Sequence, residues 1–423
     1  MPHLEPQPLP QPWFDLGQIL DEERILTHFQ PLVSVNGGRV VGVEALARGL
    51  HPQTGELIPP DQLFRAAARE GRLVALDRLC RRTAMQTFAS LPCRAAPPVL
   101  FLNFEASLLD QGVLNSGILH RMTLEAGLEP NRVVIEVVES RVRDQAALEC
   151  FAKSYRDRGF LLALDDVGSG HSNLERLAAL QPDVIKIDRS LITDLDREFY
   201  KQEVTRSLVN LAQRVGALVV GEGVERQEEA VLALALGVDL LQGFFLARPG
   251  PLVGELEGVC RAQMKKVADG YRRLTMDRYF QRKRQSEQFL ETCAEIAEQL
   301  AGAPPTELDR RLDRVMDTCH GLECLYVLNS RGRQISETVC HPSRLKGHRQ
   351  AIFQPAPRGR DQSLKSYYLL LKAGQERYVS EPYISQASGN LCVTVSLWFN
   401  GAKGNRMIIC ADFPLPGTVP VPA

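Results

Sequence analysis

A chain of 423 residues, 44% apolar and 24% charged, is ordinary globular material but too long for one typical core. Its net charge of −1 gives no long-range pull toward polyanions, so nucleic acid polymers and anionic membranes are poor partners. The proline-rich start lacks the apolar core of a secretory signal, no apolar run is long enough to span a bilayer, and the ten cysteines are scattered without a CxxC pair. A cytoplasmic protein with free thiols and no zinc site is expected.

After a tail over residues 1–17, short apolar runs alternate with amphipathic helical stretches. The runs lie at 26–33, 40–47, 99–104, 133–138, 160–164, 183–187, 217–221 and 240–247. Most are continuously apolar, as strands buried on both faces should be. Their number and spacing predict a modified (β/α)8 TIM-like barrel over residues 18–254. Only residues 34–39, with Asn36-Gly37-Gly38, separate the first two runs, so one antiparallel strand pair joined by a hairpin is expected.

Polar residues end these runs in order: Glu44, Asn103, Glu136, Asp165 with Asp166, Lys186, Glu222 and Gln242. Strand C-termini of a parallel barrel converge on one mouth, so these groups should meet. Carboxylates crowded there repel one another unless cations sit among them, and an all-oxygen set suits a hard divalent ion.

At these positions the sequence resembles the EAL family of cyclic di-GMP phosphodiesterases. The resemblance is carried by Glu44-Ala45-Leu46-Ala47-Arg48, Phe29-Gln30-Pro31, Leu102-Asn103, Glu136-Val137-Val138-Glu139-Ser140 and Asp165-Asp166-Val167-Gly168-Ser169-Gly170. Lys186-Ile187-Asp188, Glu222-Gly223-Val224-Glu225 and Gln242-Gly243 continue it in family order. It implies a cytoplasmic hydrolase that opens cyclic di-GMP to linear pGpG with two Mg²⁺ or Mn²⁺ ions. By the same resemblance Glu44, Asn103, Glu136 and Asp165 hold one metal, Asp165 and Asp166 bridge to a second, and Glu222 completes that metal site by holding a metal-bound water. Lys186 orients or deprotonates the attacking water, Gln242 supports that water, and Glu139 anchors the loop after the paired aspartates. Gln30, Leu46 and Arg48 face the substrate, Arg48 at a phosphate, and the protein is expected to be a homodimer. Phe104-Glu105-Ala106, Val167, Ser169 and His171 depart from the usual pattern without removing a ligand. The same residues also fit a catalytically weak or inactive cyclic di-GMP receptor or scaffold.

Residues 255–302 read as a connecting helix, in which Phe289, Cys293, Ile296 and Leu300 follow the 4-3 spacing of a helix–helix seam. Residues 303–423 change texture. Strands are expected at 323–328 and 333–338 and again at 391–399 and 406–412, with a helix near 363–372, making a small α+β domain. Around Tyr367-Tyr368 and Tyr383-Ile384-Ser385 it weakly resembles PAS/Cache-like sensors. That resemblance implies a cavity for an unknown small ligand, with Lys365, Tyr368, Tyr383 and Ser385 as lining candidates; the tyrosines could equally be core packing.

Overall fold

The computed structural model describes residues 13–91, 98–105, 117–138, 145–169, 174–251, 256–319, 321–345 and 351–415. They form two compact units, divided in the chain between Thr275 and Met276.

The first unit is built on nine strands: β1 (Ile25–Ser34), β2 (Arg39–Leu50), β3 (Leu57–Ile58), β4 (Val99–Phe104), β5 (Val133–Val138), β6 (Leu161–Val167), β7 (Val184–Ile187), β8 (Leu218–Gly221) and β9 (Leu240–Leu241). β2, β4, β5, β6, β7, β8 and β9 pair parallel in that order. β1 closes the ring, and β3 only extends β2 outside it. The barrel therefore has eight strands. One correction follows: β1 is antiparallel to β9 as well as to β2, because a single reversed strand must oppose both neighbours. The last run is also shorter than expected. Only Leu240–Leu241 joins the ladder, and from Gly243 the chain turns, with Leu246 and Ala247 donating to the Gly243 carbonyl.

Inside the barrel, Leu32, Phe101, Val134, Ala163, Val184, Val220 and Leu240 pack into a buried apolar plug. Residues of the other parity, such as Leu100, Ile135, Leu162 and Val219, pack outward in the main core with the surrounding helices. Burial on both faces is the reason the strands read as unbroken apolar runs. Gly42 makes room for the plug: a Cβ there would stand 2.5 Å from the Phe101 ring.

A helix of 45 residues, Leu256–Leu300, leads into the second unit. Cys293, Ile296 and Leu300 are fully buried in that unit's own core, and Phe289 stacks on Phe413 with ring centroids 4.3 Å apart. The expected seam between helices of two copies is therefore corrected: the 4-3 row is consumed by packing within the chain.

The second unit's strands are β10 (Cys324–Asn329), β11 (Val339–Cys340), β12 (Arg377–Val379), β13 (Tyr383–Ile384), β14 (Leu391–Asn400) and β15 (Arg406–Pro414). They form one antiparallel sheet in the order β11-β10-β15-β14-β12, with β13 also on β14. The hairpin of β14 and β15 matches expectation. The strand expected at 333–338 does not form; Arg333 and Gln334 make isolated bridges, and β11 pairs with β10 instead. That pairing sets Cys324 opposite Cys340, and the two are joined by a disulfide. The expectation of free thiols throughout is corrected here, since cross-strand register is invisible in a scattered cysteine pattern.

The sheet's two faces differ in chemistry. Leu325, Val327, Val395, Ile409 and Ala411 pack into the apolar core with the helices. Tyr326, Thr394, Ser396 and Asp412, of the opposite parity, are buried on the other face.

Candidate active site

Strand periodicity builds the site. Side chains two residues apart share a face, and the polar residues stand two positions from plug residues: Gln30 from Leu32, Asn103 from Phe101, Glu136 from Val134, Asp165 from Ala163, Lys186 from Val184, Glu222 from Val220 and Gln242 from Leu240. Glu44 stands two residues beyond Gly42. The plug thus carries a polar ring directly above it.

Lys186 is at the centre of that ring and almost fully buried. Its Nζ lies 2.6 Å from Glu222 Oε1, 2.7 Å from Glu136 Oε1 and 3.4 Å from both Glu44 Oε2 and Asp165 Oδ1. Gln242 Nε2 donates to Glu44 Oε2 at 2.7 Å and to Gln30 Oε1 at 3.2 Å, and Asn103 Nδ2 donates to Glu44 Oε1 at 2.9 Å. Gln30 in turn donates to the Ala247 carbonyl.

One ammonium does not balance four buried carboxylates. Burial pulls the Lys186 ammonium down, but Asp165, Glu136, Glu222 and Glu44 outweigh it and hold the group well above its usual range. Burial pushes Glu136 well up, with Glu44 repelling it. Burial likewise raises Glu222 to about 8, against the pull of Lys186. Asp165 is raised by burial too. Glu44 alone is lowered: burial opposes ionisation there, but Lys186, Gln242 and Asn103 overcome it.

Asp166 reaches the same place by a local irregularity. Successive side chains of a regular strand point to opposite faces. The β6–β7 register shifts between Leu164 and Val167, and Asp166 takes a left-handed backbone with φ of 59°. One oxygen each of Asp165, Asp166 and Glu222 then falls within a 4.8 Å group.

The donor set fits hard divalent cations. It is all oxygen, it carries excess negative charge, and among the described residues Glu136 Oε2 and Gln242 Oε1 are buried without a hydrogen-bond partner. A second acidic group, Asp194, Asp196 and Glu229, is already bridged by Arg226, which pairs with all three and lies 3.2 Å from Asp194 and 3.1 Å from Glu229.

A cavity of about 350 Å³ adjoins the ring, sharing Glu44 and Asn103 with it and lined also by Leu46. Arg48 is half-buried, and its Nη1 donates to the Ala47 carbonyl. Glu139 lies outside the described residues. Sequence reasoning missed Asp77 and Arg81, a buried ion pair on the helix Leu73–Ala89 that lines this cavity. The signal was there: charges four residues apart interrupt the buried stripe of Leu76, Cys80 and Ala84.

The family model for the EAL domain matches residues 15–249. The chain belongs to the EAL domain family. Over 244 residues it is 32% identical to the bifunctional diguanylate cyclase/cyclic di-GMP phosphodiesterase MucR of Pseudomonas aeruginosa, covering 56% of this chain and 35% of MucR. It is 32% identical over 239 residues to the cyclic di-GMP phosphodiesterase RocR of the same organism, covering 56% of this chain and 60% of RocR. The chain thus spans about a third to three fifths of these relatives' lengths. Among solved structures, the PaMucR phosphodiesterase in its c-di-GMP complex matches with 31% identity and a TM-score of 0.51, over 56% of this chain and 96% of that one. The Bacillus subtilis YkuI protein, which has an EAL domain and was crystallised with substrate c-di-GMP and calcium, shares the fold over 96% of this chain and all of its own, with a TM-score of 0.77 at 22% identity.

Proposed function

We propose that residues 18–254 form a divalent-metal-dependent phosphodiesterase that hydrolyses cyclic di-GMP to linear pGpG. The observation that carries this reading is the ring of Glu44, Glu136, Asp165 and Glu222 around Lys186 on an apolar plug, open to a cavity that shares Glu44 and Asn103. The likeness to the PaMucR phosphodiesterase supports the choice of substrate.

Glu44, Asn103, Glu136 and Asp165 would hold one Mg²⁺ or Mn²⁺, and Asp165, Asp166 and Glu222 a second. Such ions supply charge neutralisation of the phosphodiester and acidification of water. The chain's own groups do the positioning. Lys186, fixed by its carboxylates, directs the attacking water toward phosphorus, and Gln242 holds that water with its remaining amide capacity. Arg48 steadies a phosphate oxygen at the rim, Leu46 and Gln30 shape the substrate's seat, and Glu139 anchors the loop beyond Asp166. The apolar plug closes the site from below, so water enters only from the mouth.

Residues 255–302 we read as a connecting helix and residues 303–423 as a PAS/Cache-like sensor that regulates turnover. A sheet with one apolar face and, on the other, buried polar groups beside a second apolar cluster supports a ligand-binding role. A cytoplasmic homodimer completes the reading; no helix among the described residues is long and apolar enough to cross a membrane.

The test is turnover of cyclic di-GMP by the full chain with Mg²⁺, Mn²⁺ or Ca²⁺, with product identified by mass. Formation of pGpG that stops on chelation is expected. Tight binding without product under every metal would instead make the barrel a receptor and overturn the catalytic reading.

A further inference from the structure

The second unit encloses a cavity of about 250 Å³ that the proposed reaction does not use. Burial divides its lining into a floor and a rim. Tyr326, Tyr367, Ser385 and Asp412 form the floor and are nearly inaccessible, whereas Lys365 is half-buried and Arg360 exposed. Of the lining candidates named from sequence, Lys365, Tyr383 and Ser385 do line this cavity. Tyr368 does not face it; it packs behind, with its hydroxyl donating to the Ser330 carbonyl.

The floor is rich in hydroxyl groups and holds one buried carboxyl, Asp412. Asp412 Oδ1 accepts from Thr394 Oγ1 at 2.7 Å, and Thr394 Oγ1 is 2.6 Å from the Tyr383 hydroxyl. A buried carboxylate served by a neutral hydroxyl is an unfavourable arrangement that a cation would relieve. Tyrosine rings around it favour a cation further. The rim is the reverse. Lys365 Nζ has a long 3.4 Å contact to Gln386 Oε1, and Arg360 and Lys365 are its two positive charges. Lys365 is near enough for its field to act on Asp412.

We infer that this cavity binds a small zwitterion, with its ammonium against Asp412 and its carboxylate between Lys365 and Arg360. A simple anion would leave Asp412 without a cation. A simple amine would meet two positive charges on entry and leave them unpaired. The volume holds roughly eight waters, which suits a molecule of about ten non-hydrogen atoms or fewer. This inference rests on the reading of residues 303–423 as a ligand-binding domain, and it adds the chemical class of the ligand.

The test is calorimetric titration of the full chain with glycine, 4-aminobutyrate and 5-aminovalerate, which vary the separation of the two charges. Butylamine and butyrate serve as single-charge controls. At least one amino acid should bind, and both controls should bind roughly tenfold or more weakly. Asp412→Asn should bring the best amino acid down to the level of butyrate, and Lys365→Met down toward butylamine. Lys365 is at the rim, so its variant keeps the test usable if Asp412→Asn fails to fold. Failure of every amino acid to bind, or butyrate binding as tightly as 4-aminobutyrate, overturns the inference. So does a folded Asp412→Asn protein with unchanged affinity. Cyclic di-GMP turnover in the same samples separates the readings. Turnover without zwitterion binding sinks this site alone, and binding without any change in turnover keeps the site and sinks regulation.

Discussion

Lys186 Nζ stands 2.6 Å from Glu222 Oε1, across the joint between β7 and β8 that pairs Lys186 with Val220. The contact forms because Glu222 is two residues past Val220 on the same inward face. It ties the ends of two adjacent parallel strands by charge at the one level of the barrel where the apolar plug stops.

Lys186→Met should therefore do two separable things. Without the ammonium, four crowded carboxylates lose their one cation, and stability should fall by about 3–5 kcal/mol, the usual cost of breaking a buried pair. Added Mn²⁺ should then raise the melting temperature of the variant more than that of the wild type. Under the proposed role of Lys186 on the attacking water, turnover should drop by roughly 10²–10⁴-fold, with cyclic di-GMP affinity changing far less. Melting curves with and without metal, and kcat beside KM, check both; near-normal turnover would show that Lys186 has no role in the chemistry.

Arg81 matters through Asp77. The pair is buried, the Arg81 guanidinium also sits 4.8 Å above the Phe104 ring, and burial raises the Asp77 carboxyl even with Arg81 beside it. Arg81→Leu strands the acid and should cost about 3–5 kcal/mol, whereas Arg81→Leu with Asp77→Asn should recover most of that loss. Urea unfolding of the two single variants and the double variant measures the coupling. Additive losses would mean that the two side chains do not act as a pair.

Gly243 follows Gln242 of the polar ring, and a Cβ on it would lie 2.2 Å from the backbone of Val224. Backbone cannot rotate aside as a side chain can, so Gly243→Ala must push apart the turns after β8 and β9. The Val224 amide donates to the Gln242 carbonyl there, and that bond should be the first lost. A loss of about 1–3 kcal/mol or more is expected from overpacking, together with faster amide exchange at Val224. A variant as stable as the wild type would show that this close approach is not required.

Asp412 sets a pH dependence in the second unit. Burial pushes its carboxyl from 3.8 to about 7, with Glu323 repelling it and Thr394 opposing the rise. An acid raised on folding binds protons in the native state before it does so unfolded. Its stability contribution is present in full below about pH 4 and is lost as pH rises through about 7. The slope should approach about 1.4 kcal/mol per pH unit within that window. Asp412→Asn should flatten it. Hydrogen exchange on peptides from β14 and β15 between pH 4.5 and 8 gives the slope directly. Equal slopes in both proteins would mean that another group governs it.

Much of the barrel was readable in one dimension. Strands buried on both faces must be apolar throughout, so the places where Asn103, Glu136, Asp165, Lys186, Glu222 and Gln242 break the runs stood out. Parallel order then sent them to one mouth. Less was readable where the backbone departs from its period. Asp166 should point away from Asp165, and the shifted register with a left-handed φ of 59° brings it back. The row Phe289, Cys293, Ile296 and Leu300 has the spacing of a seam between copies, yet the same spacing serves a core, and the core claimed it.

The sequence by itself determined the parity and order of the polar breaks, because a period of two and a parallel topology are local rules applied strand by strand. Tertiary structure alone decided partnership. It set one ammonium among four carboxylates and Cys324 opposite Cys340. Those contacts join residues up to 142 positions apart. No local propensity specifies them; they follow only when ring closure and strand register bring distant side chains to within a few ångströms.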